Sequence, residues 1–403
     1  MKIAIFSDCH CGHAFGEERG EDSFLGLEEA IRANMDVDLI LIAGDMFDSR
    51  VPKQEVFART AKILGLSQGL PGSTRLVDLK GKEKTDISPL ALRGIPIVAI
   101  HGTHERRSTH MVNPVQALEH AGLLIHLHCS AAVFNIGDKT VAIHGMSGVP
   151  ERYAKDVLKE WNPQPIPGAV NIFMFHQSIE PYIYSPLDPP SLKIEDLPPG
   201  FDLYVLGHIH WRDIKDLHSG KLLLCGSTTH TSLHKTESDQ QKGYYIFNGK
   251  HLEFVPLKSQ RKIIWKEFSY NALLKQEMMS FLSELPEYSK KPIFIAKISG
   301  RLPTGAAPPV FNDIEKMFSN KVIFNISRRI DSEDFAEDKE LIQALREQKL
   351  SPEEQGIKIL VENLNQTRCG IKVEEVFELL VDGKTDLLFN LLTGKQKTLG
   401  ASQ

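Results

Sequence analysis

An α/β fold of layered sheets with helices on both sides follows from three features of the sequence. Strand-like and helix-like stretches alternate through the first 257 residues. Short segments punctuated by glycine or by Asp and His stand directly after several of the strands. The chain has 403 residues, 41% hydrophobic and 25% charged, a globular composition with length for roughly two to three cores.

Lys2–Phe6 is an apolar run short enough for a buried strand, and Asp22–Met35 places apolar residues at helical spacing. Val37–Ala43 repeats the strand pattern and Pro52–Leu66 the helical one. Gln68–Gly94, with its glycines, lysines and aspartates, reads as an exposed loop or small insertion. Ile95–Ile100 is again a strand, and the next helix begins with Asn113 as N-cap and Pro114 in its first position. Strands follow at Val141–His144, Val170–His176, Leu203–Leu206 and Lys221–Cys225. Asn248-Gly249 inside Gly243–Pro256 signals a hairpin, and this first domain ends near residue 257.

Residues 258–330 repeat helix then strand twice: Asn271–Leu285, Pro292–Ser299, Val310–Phe318 and Val322–Ile326. Two helices over a small sheet make a compact α+β unit. From 331 to 403 the strand signals vanish. Ser351, Pro352 and Glu354 suggest a helix start, after which Ile357, Leu360, Val361 and Leu364 fall at helical spacing. Val373–Leu380 and Leu387–Leu392 continue in the same manner, and their apolar faces need a partner.

Forty-seven basic against 52 acidic side chains give a net charge of −5, so any nucleic-acid reading must rest on local features. No apolar run approaches the ~18 residues of a membrane helix. The apolar stretch near Met1 is too short for a secretory signal. Five scattered cysteines do not form a disulfide framework, and the expected compartment is a reducing cytoplasm.

Five segments carry metal-ligand residue types directly after strands: Asp8-Cys-His10, Gly44-Asp45-Met-Phe-Asp48, Gly102-Thr103-His104-Glu105, Phe175-His176-Gln177 and Gly207-His208-Ile-His210. The carboxyl ends of strands are where α/β folds assemble sites. Asp with His suits manganese, iron or zinc, and two adjacent metals need a bridging carboxylate. Any one of these histidines alone would be an ordinary hydrogen-bonded residue, and eleven of the sixteen, among them His101, His126, His128 and His144, are read that way. The ordered set of five is not.

This series resembles the calcineurin-like metallophosphoesterase superfamily over residues 3–212. Gly44–Asp48 followed by Pro52, the Gly226-Ser227 turn, the small second unit and the terminal helices narrow the resemblance to double-strand-break repair nucleases of the Mre and SbcD type. It implies a layered β-sandwich metallophosphoesterase core (1–257), an α+β DNA-binding cap (258–330) and a helical partner-binding region (331–403). It also implies two manganese ions per subunit. Asp8, His10 and His210 would hold one, Asp45 would bridge, and His176, His208 and Thr103 would hold the other. His104 would stabilise the phosphate or protonate the leaving oxygen, with Glu105 orienting it or pairing with Arg106 or Arg107, and Asp48 would steady a ligand. Thr103 departs from the family's Asn: a hydroxyl is shorter and a poorer ligand than a carbonyl oxygen, so either Thr103 coordinates through its hydroxyl or a water, or the second ion binds more weakly. Cys9 and Cys11 flank His10, but alternation in an extended segment points them away from it.

The resemblance implies exonuclease action on duplex ends and endonuclease action on single strands. It also implies a homodimer associated with the nucleoid and with no membrane attachment. A Rad/SbcC-type ATPase would bind the C-terminal helices. Basic pairs and triplets at Lys258/Arg261/Lys262, Lys290/Lys291 and Arg328/Arg329 are candidates for phosphate contact. Two other functions compete: a phosphoesterase acting on a nucleotide or small phosphodiester, and a scaffold that keeps the fold without catalysis.

Overall fold

The computed structural model describes residues 1–69, 72–108, 110–183, 192–233, 235–302 and 308–332. Two units emerge, Met1–Ile263 and a second beginning at Ile264. The first opens with β1 (Ile3–Phe6), α1 (Asp22–Arg32), β2 (Leu39–Ala43), α2 (Gln54–Leu64), β3 (Arg75–Lys80), β4 (Ile97–Ile100) and α3 (Pro114–His120). It continues through β5 (Ile125–His126), β6 (Ser130–Ile136), β7 (Lys139–Met146), α4 (Glu151–Trp161), β8 (Val170–His176), β9 (Ile179–Glu180) and β10 (Leu192–Lys193). It closes with β11 (Leu203–Gly207), β12 (Arg212–Leu217), β13 (Gly220–Cys225), α5 (Lys235–Ser238), β14 (Gly243–Phe247) and β15 (Leu252–Pro256).

Thirteen of these strands build two sheets, ordered β15-β14-β1-β2-β4-β5 and β12-β13-β11-β8-β7-β6-β3, while β9 and β10 pair with each other. Alternation explains the layering. Ile3, Ile5, Leu39, Leu41, Val98 and Ile100 face Phe134, Ile143, Ile172, Met174 and Val205 across the centre. The other face of the first sheet, with Phe6, Ile40, Ile42 and Ile97, packs on Phe24, Leu27, Ile31, Ile63 and Leu118 of α1, α2 and α3. The outer face of the second sheet, with Phe173, Phe175 and Leu206, packs on Ala154 and Leu158 of α4. Strands with both faces covered read as unbroken apolar runs, which is why β1, β2 and β4 are plain in the sequence. The result is the layered β-sandwich with helices on both sides.

One expectation fails. The stretch 68–94 is not a loop, because it supplies β3, the edge strand that pairs antiparallel with β6. An edge strand with only one covered face buries little, and Leu76 and Leu79 alone reach the core while Arg75, Asp78 and Lys80 lie outward or at the edge.

In the second unit β16 (Ile263–Ser269), β17 (Ile293–Leu302) and β18 (Ile323–Ser332) form a sheet in that order, with α6 (Leu274–Glu284) and α7 (Asn312–Phe318) alongside. Leu274, Met278, Leu282, Phe311 and Ile314 cover Phe294, Ala296 and Ile298. The helices read from the sequence beyond Ser332 lie outside the described residues. Among the described residues no helix is long and apolar enough to cross a membrane.

Arg261, grouped in the sequence with phosphate-contacting bases, is corrected. It is buried, its Nε donates to Asp22 Oδ2 at 2.7 Å and its guanidinium also reaches the Glu18 carbonyl. Such a side chain ties the end of the first unit to α1 and is spent there.

Candidate metal centre

Parallel pairing of β1, β2 and β4, and of β8 with β11, turns the carboxyl ends of these strands to one end of the sandwich. Asp8 and His10 follow β1, Asp45 follows β2, and the 102–105 loop follows β4. His176 ends β8, and His208 and His210 follow β11. The first two loops zip together, Asp8 N donating to the Gly44 carbonyl and His10 N to the Asp45 carbonyl, each at 3.0 Å.

The backbone is strained where the candidate ligands stand. Asp8, His10, Asp45 and His208 have φ of +52°, +46°, +45° and +81°, conformations that side chains with a Cβ rarely adopt and that the surrounding fold must hold. Gly44, at φ +93°, is needed for space as well, since a Cβ there would strike His176 Nδ1.

Three groups of ligand atoms converge: Asp8, His10 and His210; Asp45, His176 and His208; and His10, Asp45 and His104. The sequence-predicted ligands Asp8, His10, Asp45, His176, His208 and His210 are therefore together. The two first-named groups are linked, since His176 Nε2 is 4.0 Å from Asp8 Oδ1 and 3.1 Å from Asp45 Oδ2. Thr103 lies beside them, its hydroxyl donating to Asp45 Oδ2 at 3.3 Å.

The protonation of the rings tests whether a cation fits. His176 Nδ1 donates to the Ala43 carbonyl at 2.8 Å, which leaves the buried Nε2 as the atom that faces Asp45 Oδ2 at 3.1 Å. Burial disfavours the charged ring, yet Asp45 and Asp8 overcome this and push its pKa up to about 9. His10 Nδ1 lies 3.1 Å from Asp48 Oδ1 and His210 Nδ1 lies 2.7 Å from Thr231 Oγ1. With its Nδ1 bonded to Asp48, the His10 ring turns Nε2 to His210 Nε2 at 3.0 Å, a contact that needs a proton or a cation between the two nitrogens. Two carboxylates and four imidazoles, three of them with Nδ1 already engaged by Asp48, Ala43 or Thr231, fit a divalent transition metal.

The neighbours are sorted by the same contacts. Asp48 holds His10 through Oδ1 and approaches His13 Nδ1 at 3.5 Å through Oδ2. Burial raises the Asp48 carboxyl, but hydrogen bonds from His10 and His13 outweigh it and hold the group well below the usual range. His104 is about half exposed at the rim. Its amide donates to Asp45 Oδ1 at 2.9 Å and its Nδ1 to the Asp48 carbonyl at 3.2 Å.

Glu105 neither orients His104 nor pairs with an arginine. It is fully buried, and its two oxygens accept from Phe47 N and Gly102 N at 2.8 Å each, strapping the second loop to the third. Burial, together with the Asp45 charge, pushes its carboxyl up to about 8. Cys9 and Cys11 are buried among the residues that meet α1 and α2, and burial raises both thiols, Cys11 to about 12. His101 and His126 pair at 2.9 Å in a buried cluster with Asn113 and Ser147, as ordinary hydrogen-bonded histidines. Thr231, which carries no motif, was invisible in the sequence as a partner of His210.

The family model described as calcineurin-like phosphoesterase matches residues 1–212. The DNA double-strand break repair protein Mre11 of Methanopyrus kandleri is 30% identical over 229 residues, which cover 52% of this chain and 44% of that protein. The Mre11 protein of Methanococcus maripaludis is 25% identical over 354 residues, 82% of this chain and 84% of that one. That of Sulfurisphaera tokodaii is 27% identical over 230 residues, 55% and 52% of the two chains. The matched part thus spans about half the length of the first and third of these relatives and most of the second.

Proposed function

The chain belongs to the calcineurin-like phosphoesterase family of metal-dependent enzymes, and from that premise we propose that it is a manganese-dependent DNA nuclease of double-strand-break repair. The observation that carries the reading is the junction of two ligand groups at Asp8, Asp45 and His176, in a chain whose relatives are named for that repair. It would shorten duplex ends and cut single strands, as a homodimer acting with a Rad/SbcC-type ATPase on the nucleoid.

In this reading Asp8, His10 and His210 would hold one ion and His176 and His208 the other, with Asp45 available to both and Thr103 beside the second group. When bound, the ions supply Lewis-acid charge to the attacking and leaving oxygens of an in-line phosphodiester displacement. The chain's own residues do the rest. Asp48 and Thr231 hold the Nδ1 protons of His10 and His210, so that both rings present Nε2. His208 N donates to both oxygens of Asp8 at 3.1 Å and fixes that carboxylate's rotation. With Nδ1 directed at the Asp48 carbonyl, His104 offers Nε2 at the exposed rim, where a protonated ring gives its proton to the leaving oxygen or bonds a phosphoryl oxygen.

The test is cleavage of an end-labelled linear duplex by the purified chain with manganese, magnesium or chelator, beside His104→Ala. Manganese-dependent shortening, abolished by chelator and reduced about 10²- to 10⁴-fold in the variant, is expected. The variant should still bind both ions by calorimetry, because His104 acts on substrate in this reading. Loss of an ion would make His104 a ligand. Cleavage of a small phosphodiester but not of DNA would move the enzyme to the other substrate class.

A further inference from the structure

Behind His210 lies a charged pair that the reaction as derived above does not use. The Glu237 and Lys242 side chains are 1% and 2% exposed, with Lys242 Nζ 3.0 Å from Glu237 Oε1. Both reach the same candidate ligand from opposite ends. Glu237 Oε2 is 3.6 Å from His210 Nδ1, while Lys242 Nζ donates to the His210 carbonyl at 2.8 Å and to Ser227 Oγ at 2.6 Å. Glu237 also accepts from Thr231 N at 2.9 Å and from the Ser232 hydroxyl, which orders the loop that carries Thr231 Oγ1 to His210 Nδ1.

A buried ion pair is poor evidence of a device for stability, because desolvating two charges costs several kcal/mol and apolar replacements of similar volume are often neutral. Its placement supplies a better reason. A carboxylate behind an imidazole favours the proton on Nδ1 and makes Nε2 a stronger donor to a cation. A cation gripping the same residue's carbonyl stops the backbone from swinging the ring away.

We propose that Glu237 and Lys242 are a positioning pair that presents His210 Nε2 to the ion it shares with Asp8 and His10. This rests on the reading of His210 as a ligand. It assigns Glu237 and Lys242 no contact with substrate.

Calorimetric titration of the full chain with manganese alone tests it, in the parent, in Glu237→Gln and in the double variant Glu237→Gln/Lys242→Met. The parent should take two ions. Glu237→Gln should weaken one of the two binding steps about 10- to 100-fold and leave the other unchanged. The double variant removes the charge that the single variant strands, so its melting temperature should recover while the weakened step stays weak. Affinity that recovers together with stability would make the pair merely structural and overturn the inference, as would a folded single variant that binds like the parent. Should the single variant not fold, the double variant decides: one weakened step supports the inference and parent-like binding refutes it. A parent that binds no ion would refute the ligand reading itself, a distinct result.

Discussion

Thr103 is the residue at which this chain departs from the pattern it otherwise follows. Its hydroxyl donates to Asp45 Oδ2, so it orients the carboxylate proposed to bridge and extends no carbonyl oxygen towards the ion proposed at His176 and His208. Asparagine is one atom longer and carries such an oxygen. Thr103→Asn should therefore tighten the weaker manganese step about tenfold and raise cleavage at limiting manganese, with little change at saturation. Unchanged affinity in calorimetry would mean that the threonine, directly or through water, serves as well. Glu105 shows how a neighbour in the same motif misleads. Its position after His104 suggested an orienting partner, but two backbone amides of buried loops had no other acceptor and took it. The types and order of the candidate ligands were legible because metal chemistry restricts the choice. Their supports at Thr231, Glu237 and Lys242 were not, since any nearby polar side chain can serve.

At the scale of elements, the helix α3 was readable down to its cap. Asn113 Oδ1 accepts from Gln116 N at 2.9 Å and Gln116 Oε1 accepts from Asn113 N at 3.0 Å, a reciprocal pair with Pro114 in the first turn. Asn113 Nδ2 also lies 3.3 Å from His101 Nδ1. Asn113→Ala should cost about 1–2 kcal/mol in chemical denaturation, while Asn113→Ser, which keeps the cap but not the contact with His101, should recover most of it. Equal losses would locate the stabilisation in the His101 cluster instead. Three elements absent from the sequence reading, β3, β12 and α4, share a cause: each keeps one side towards solvent, so polar residues interrupt its apolar pattern. β12 is an edge strand whose Ile214 is exposed and in which only Leu217 is buried. In α4 only Ala154 and Leu158 are buried, two contacts on a charged helix that lies over the outer face of a sheet. The doubly covered strands β1, β2 and β4, apolar throughout, left no such ambiguity.

For the first unit as a whole, buried histidines away from the candidate ligands couple stability to pH. His144 is 4% exposed, packed edge-on against Phe201 with ring centroids 4.9 Å apart and near Trp161. Burial drops its pKa from 6.5 to about 4, against a smaller opposing contribution from Asn171. The unfolded chain accepts a proton on this ring below about 6.5 and the folded chain does so only near 4, so the unfolded state binds more protons between the two. Its contribution is complete above pH 6.5 and is lost as the pH falls towards 4, by up to about 1.4 kcal/mol per pH unit. His230, held at about 3 chiefly by burial, prolongs the same slope downwards. The melting temperature should therefore fall steadily on acidification below about pH 6.5, and His144→Leu, close in volume and unable to titrate, should make that fall shallower whatever it does at neutral pH. The readout is the slope between about pH 6.5 and 4.5, taken by calorimetry in chelator so that metal release does not enter. An unchanged slope would mean that the folded protein accommodates the His144 proton, and that the acid sensitivity arises elsewhere.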